Sequence, residues 1–298
     1  MKIYHFFLKE NYVSSDYIID NKTTRFKLEE VNMALLQVNT YSMALSRIIT
    51  FHVLLPNDAP PEMLAGNHCY DRPIKTLYLL HGFSGSTQDW LTGSLIQELS
   101  LKYNLAVVMP AGENSFYLNG KGTGRAYETF IAEELPAYCQ KTFGLSEKTE
   151  DNFIGGLSMG GFGAIHTALK YPEQFGKMFG LSSALIVNGI KGMKPGEKND
   201  IADYDYYAQI FGDLDQLEES ANNLEYLVTE RKKKGGTIQP IFMACGTEDF
   251  LLNENREFRD FLVKEGVDVI YRESTGIHEW KFWNEYLEPA IQWLLGVE

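Results

Sequence analysis

Short apolar runs alternate along this chain with longer stretches in which apolar residues recur every three or four positions. After Met33, the segments ALLQVNTYS and ALSRIITFHVLLP alternate or run apolar over lengths suited to strands. Further short runs follow at Thr76–His81, Leu105–Met109, Asn152–Leu157, Gly176–Ser183, Ile238–Cys245 and Val267–Tyr271. Helical spacing fills the gaps: from Asp89 to about Lys102, from Tyr127 to Phe143, directly after Ser158, and over Phe282–Leu295. Strands that alternate with helices predict an α/β fold with a mostly parallel central sheet and helices on both faces. One region breaks the alternation. Some fifty residues, about 184 to 236, separate two predicted strands, far more than a plain crossover needs. They read as a helical insertion over one end of the sheet. Ligands bind at the carboxyl ends of strands in such sheets, so the insertion can serve as a lid; the plainer alternative is a solvated surface elaboration.

Composition narrows the class. Of 298 residues, 44% are hydrophobic, 22% charged and 13% aromatic, which excludes a disordered chain, a collagen and a coiled coil. The net charge of −13 and pI near 5.0 argue against nucleic acid as a partner and against an anionic membrane surface. Three widely spaced cysteines, Cys69, Cys139 and Cys245, form no CxxC and are expected to be reduced thiols. The longest uncharged stretch, Phe153 to Leu169, holds five glycines and suits a tight turn better than a membrane span. The opening MKIYHFFLKE is too short in apolar length for a signal-peptide core, which leaves the cytoplasm as the expected location.

Residues 1–32 differ from the rest, being polar and aromatic without a clear period. Glu29-Glu30-Val31-Asn32 can be encoded by GAG GAG GTG AAT, a purine-rich ribosome-binding sequence just before Met33. The expectation is that Met33 is the natural start and 1–32 is upstream or tag sequence. A genuine N-terminal extension is the alternative. A single domain is expected over 33–298, with its insertion at about 184–236.

The strongest chemical signal is Gly156-Leu157-Ser158-Met159-Gly160. It matches G-x-S-x-G, follows a predicted strand and opens a predicted helix, the context that gives the motif meaning. A serine on such a turn projects its hydroxyl from a tight backbone, with free helix N–H groups beside it. A phosphate cradle is the competing reading, but neither G-x-x-x-x-G-K-[ST] nor a strand-borne G-x-G-x-x-G is present. No metal-ligand cluster is visible in the sequence either, so no cofactor or metal is expected. A serine hydroxyl needs a base and an orienting acid, which follow it in that chain order on folds of this kind. His5, His52, His68 and His81 precede Ser158. His166 lies eight residues on along the same helix, about 12 Å away at 1.5 Å per residue. His278 remains as base, in a Gly-containing loop after the last strand. Asp249, after the Ile241–Cys245 run, is the expected acid, with the adjacent Glu248 as the weaker alternative. The oxyanion donors are expected to be the backbone N–H groups of Met159 and Phe83, with His81 structural.

These residues as a set carry a resemblance. Leu79-Leu80-His81-Gly82-Phe83 with Trp90, Pro110 and Asn114-Ser115-Phe116-Tyr117, Gly156–Gly161, Gly246 to Asp249 and His278-Glu279-Trp280 resemble the esterase D branch of the α/β-hydrolases. Within it, Gln37-Val38-Asn39 and Leu54-Leu55-Pro56-Asn57-Asp58 look most like bacterial tributyrin-type esterases. The resemblance spans about Met33 to Trp293. It implies the α/β-hydrolase fold and a serine carboxylesterase for short acyl chains, acetyl to butyryl, or for sugar O-acetyl and aryl esters, with Ser158, Asp249 and His278 as triad. The expected partner is thus a small-molecule ester, with a homo-oligomer open. S-formylglutathione hydrolysis is the alternative activity, and a catalytically idle binding protein the alternative class. The insertion's Tyr206 and Phe211, together with Trp280, are expected to line the substrate pocket.

Overall fold

The computed structural model describes residues 34–297; the reading of residues 1–32 lies outside them. Eight strands form one sheet: β1 (Ala34–Ser42), β2 (Arg47–Leu55), β3 (Lys75–Leu80), β4 (Leu105–Pro110), β5 (Asn152–Leu157), β6 (Lys177–Leu181), β7 (Ile241–Gly246) and β8 (Val269–Ser274). Their spatial order is β1-β2-β4-β3-β5-β6-β7-β8. The β1–β2 and β2–β4 pairs are antiparallel, and every other pair is parallel. The fold is the mostly parallel α/β sheet expected from the pattern, in the α/β-hydrolase arrangement that the resemblance implies.

The burial of each strand explains its sequence. β4, β5 and β7 are buried at every position and read as continuous apolar runs, as strands covered on both faces must. β1, at the sheet edge, alternates between half-buried and exposed residues. Successive β3 residues feed opposite faces: Tyr78 and Leu80 join one core, Leu77 and Leu79 the other.

Two helices depart from the expected outline. The Asp89-to-Lys102 stretch is two helices, Asp89–Gly93 and Ile96–Lys102. Ser94 causes the break: its hydroxyl donates to the Trp90 carbonyl (2.5 Å) and accepts from the Ile96 N–H (3.2 Å), competing with the helical ladder. The Tyr127-to-Phe143 stretch is continuous but passes through a π turn at Phe130–Glu134, just before Pro136. The insertion is helical as expected, with helices Val187–Ile190, Tyr204–Phe211 and Leu224–Lys233. The last of these packs on the Met159–Lys170 helix that follows β5.

The topology fixes where chemistry can sit. From β3 the chain moves to β4 on one side, then crosses back to β5 on the other. The carboxyl ends of β3 and β5 therefore flank a switch point, where open α/β sheets bind ligands.

Candidate active site

Ser158 occupies the single residue between β5 and the Met159–Lys170 helix, with φ 53° and ψ −119°. A non-glycine residue is rarely held there, and such strain gathers at functional sites. Three backbone hydrogen bonds hold it. The Ser158 N–H donates to Leu181 (2.9 Å), and its carbonyl accepts from Phe162 (3.1 Å) and Ala184 (2.9 Å). The flanking glycines are sterically required. A Cβ at Gly156 would stand 2.5 Å from the Gly160 carbonyl carbon, and one at Gly160 would overlap the Leu80 carbonyl oxygen.

Asp249 lies on the turn after β7 and is buried, 5% exposed. One carboxylate oxygen accepts from the Leu251 N–H at 2.9 Å; the other accepts from His278 Nδ1 at 2.8 Å. A carboxylate can only accept, so the His278 proton sits on Nδ1 and Nε2 keeps its lone pair. Burial pushes the Asp249 carboxyl up, but His278, the Leu251 N–H and the Ser182 hydroxyl outweigh it and hold it below the usual carboxylate range. Glu248, the alternative acid, faces away from His278: it accepts from the Gly276 N–H at 2.7 Å and so anchors the loop that carries His278.

Aromatic rings fix the imidazole. Trp283 meets His278 edge to face (5.0 Å, 90°), and Phe250 lies 4.6 Å from it. The Trp283 indole N–H donates to Ser182 Oγ at 3.1 Å, on the residue after β6. Trp283 and Phe250 escape a reading of the sequence alone. The signals were present: Trp283 is one helical turn beyond Trp280, and Phe250 directly follows Asp249.

A cavity of about 640 Å³ joins these parts. Ser158, Met159, Phe83 and His278 all line it, with Phe116, Phe250 and the insertion's Ala184, Ile186, Asn199, Asp200 and Ile201. Among the described residues, Ser158 Oγ has no hydrogen-bond partner; catalytic hydrogen bonds often close only when substrate is bound. Met159 opens its helix, so its N–H has no intrahelical acceptor. Asn114 secures the Phe83 turn. Its Oδ1 accepts from the Ser84 N–H and its carbonyl accepts from the Tyr206 hydroxyl, both at 2.7 Å. His81 is structural: Nε2 accepts from the Gly112 N–H (2.8 Å), which leaves Nδ1–H to donate to Gly82 (2.7 Å). His166 is a packed histidine whose Nε2–H donates to the Ala221 carbonyl (2.9 Å).

Three expected pocket residues are not among those lining this cavity. Tyr206 spends its ring on Phe83 (5.9 Å) and its hydroxyl on Asn114. Phe211 is buried at 1% exposure between Phe116 and Phe162. Trp280 packs between Trp90 and Trp283, both at 5.2 Å. All three build the scaffold because aromatic pairing, not the cavity, absorbs their faces. The cavity takes its insertion residues from the segment before the Tyr204–Phe211 helix instead.

The "Esterase" family model, described as "Putative esterase", matches residues 42–294. The chain belongs to this esterase family. The esterase is 44% identical to an acetyl esterase of Caldicellulosiruptor saccharolyticus, over 89% of this chain and 99% of that one. Two solved structures from Staphylococcus aureus align along nearly their whole length. The fluorophosphonate-binding serine hydrolase FphF matches with TM-score 0.75 and 28% identity, over 88% of this chain and 98% of that one. The S-formylglutathione hydrolase FrmB matches with TM-score 0.74 and 29% identity, over 89% and 99%. The chain is an enzyme, a serine ester hydrolase. Among the described residues, no helix is long and apolar enough to cross a membrane, and no cluster of three or more His, Cys, Asp or Glu could hold a metal ion. The three cysteines are buried and unbridged.

Proposed function

We propose that the enzyme hydrolyses short-chain carboxylic esters, acetyl esters foremost, through an acyl-enzyme on Ser158. The observation that carries this is the Asp249–His278 pair at 2.8 Å, opening on the same cavity as a serine held at φ 53°. Ser158 Oγ attacks the ester carbonyl while His278 Nε2 takes its proton. The oxyanion is held by the N–H groups of Phe83 and Met159, each such donor contributing about 3 kcal/mol to the transition state. His278 returns the proton to the departing alcohol, and water then cleaves the acyl-enzyme by the same steps reversed. Asp249 keeps the imidazole in the working tautomer and offsets its charge. The acetyl preference rests on the 44% identity to an acetyl esterase, and the tributyrin-type assignment on the motifs that carry that resemblance. Similarity to FrmB supports S-formylglutathione hydrolysis as a second reading.

Nitrophenyl esters from acetyl to octanoyl, assayed beside S-formylglutathione, test the proposal. Turnover is expected to peak between acetyl and butyryl. Ser158→Ala should fold and lose about 10⁶-fold in kcat, and a fluorophosphonate should label Ser158. Labelling of another serine, or an active alanine variant, would overturn the assignment.

A further inference from the structure

The cavity that holds Ser158 and His278 carries charge of one sign. Of the residues that line it, two are carboxylates, Asp200 and Glu254, and none is lysine or arginine. Neither carboxylate belongs to an ion pair among the described residues. Glu254 Oε2 is shut from solvent with no hydrogen-bond partner, whereas the arginines on its own helix are engaged elsewhere, Arg256 with Glu273 and Arg259 with Asp260. Asp200 sits at the tip of a built turn. Asn199 Oδ1 accepts from the Ile201 N–H (2.9 Å), the Ala202 N–H (3.0 Å) and the Tyr207 hydroxyl (3.1 Å), and the Asn199 N–H donates to the Ala202 carbonyl (3.0 Å). The turn therefore fixes the backbone that presents this exposed carboxylate where it lines the cavity. The surrounding insertion adds to the field: between Ala184 and Glu230 there are ten carboxylates and three lysines. Two of those lysines are already neutralised, Lys191 by Glu218 and Lys194 by Asp215. The remaining lining is mostly apolar: Phe83, Phe116, Ile186, Ile201, Phe250 and Leu251. Low-dielectric sides around like charges strengthen and focus their potential.

Resting on the esterase reading, we propose that this cavity selects substrates by charge. It accepts esters whose acyl and alcohol parts are neutral or cationic, and it discriminates against esters that bring a carboxylate into the cavity. Asp200 and Glu254 are the specificity-determining residues. A glutathione thioester carries net negative charge, so it falls in the disfavoured class, and charge selection of this kind counts against the S-formylglutathione reading.

The test uses three acetates of one phenol that differ only in a meta substituent: carboxymethyl, methoxymethyl or trimethylammoniomethyl. Each rate is divided by that ester's alkaline hydrolysis rate to remove leaving-group differences. At low ionic strength the carboxymethyl ester is expected to show kcat/KM about tenfold below the methoxymethyl ester, with the cationic ester equal to it or better. At about 0.5 M salt the ratio should move toward unity as screening tightens. Asp200→Asn with Glu254→Gln should raise the anionic-to-neutral ratio at least about threefold at low salt, whatever becomes of the absolute rates. A ratio near one at low salt overturns the proposal, as does a low ratio that neither salt nor the double variant moves. The salt series on the unmodified enzyme decides the matter if the double variant does not fold. Failure of the esterase reading looks different: the neutral ester would then not be turned over by the wild type, or would be turned over by Ser158→Ala.

Discussion

The floor of the cavity and its insertion side are built by different means. On the floor, Ser158, Met159 and Phe83 lie within three residues of a strand end, as does Asp249 behind His278, and His278 follows β8 on a loop tied to the turn after β7. Neighbouring strands leave little freedom: the Ser158 N–H is bonded across to the end of β6, and the Ser182 N–H to β7 (2.7 Å). On the insertion side, Asn199, Asp200 and Ile201 are exposed and stand on a turn braced by one asparagine. The contrast teaches that the reaction is fixed by the part of the molecule that cannot vary without losing the sheet. On the reading proposed above, choice of substrate lies on the part that can. Catalytic groups on rigid elements and recognition groups on loops divide the two tasks.

The sharpest way to break this comparison is to alter the floor without emptying it. Asp249→Asn keeps the shape of the site but allows the wrong imidazole tautomer, so kcat should drop about 10⁴-fold. Glu248→Gln, which only weakens the anchor on Gly276, should cost less than about tenfold. Steady-state kinetics on the pair decides it, and a larger loss for Glu248→Gln would move the acid to that residue.

The join between the two regions gives a pH-dependent effect of middle size. His166, on the helix that Ser158 introduces, donates to Ala221 of the insertion. Complete burial pushes this histidine down to about 4, with the nearby Glu128 carboxylate opposing only in part. The folded state therefore resists a proton that the unfolded chain binds near pH 6.5. Stability conferred by the neutral ring is present above that pH and is lost as the pH falls from about 6.5 to about 4, by on the order of 3 kcal/mol in total. Urea unfolding at pH 7 and pH 5 should show this decline in the wild type and a smaller one in His166→Gln. Equal declines would mean that another group governs the acid limb.

The smallest change is expected on the insertion side. Ile201 is 55% exposed, so Ile201→Ala should leave kcat/KM for an acetyl ester within about threefold while shifting the butyryl-to-acetyl ratio by a similar factor. A loss on the scale of Asp249→Asn would show that the insertion takes part in the chemistry, and the division drawn above would fall.

The same contrast explains what could be read from the chain alone. The Ser158 turn is legible because its demands are local: two glycines, one strand and one helix, all within a few residues. Asp249 is legible because it follows a strand whose apolar run is continuous, and His278 because chain order leaves no other histidine beyond the helix that Ser158 opens. The cavity lining is not legible, since it depends on which aromatic faces are already taken. Tyr206, Phe211 and Trp280 have the right chemistry for a substrate pocket, yet each is claimed by another ring. Phe250, whose one sequence signal is that it directly follows Asp249, lies against the His278 imidazole. The Ser94 break was hidden for a related reason, because a serine inside a helical pattern gives no sign of whether its hydroxyl will turn back on the backbone.

Asn114 has a consequence for how such a molecule can diversify. One asparagine holds the Phe83 turn through its side chain and the insertion through its carbonyl. An insertion transplanted from a relative would have to bring its own partner for that carbonyl, and a Tyr206 equivalent to rest on Phe83. Otherwise the graft would loosen the Phe83 turn, which carries the proposed oxyanion donor, while it changes the cavity lining. Asn114, Tyr206 and Phe83 therefore form one structural unit, and a loop exchange designed into this enzyme should place its seams outside them.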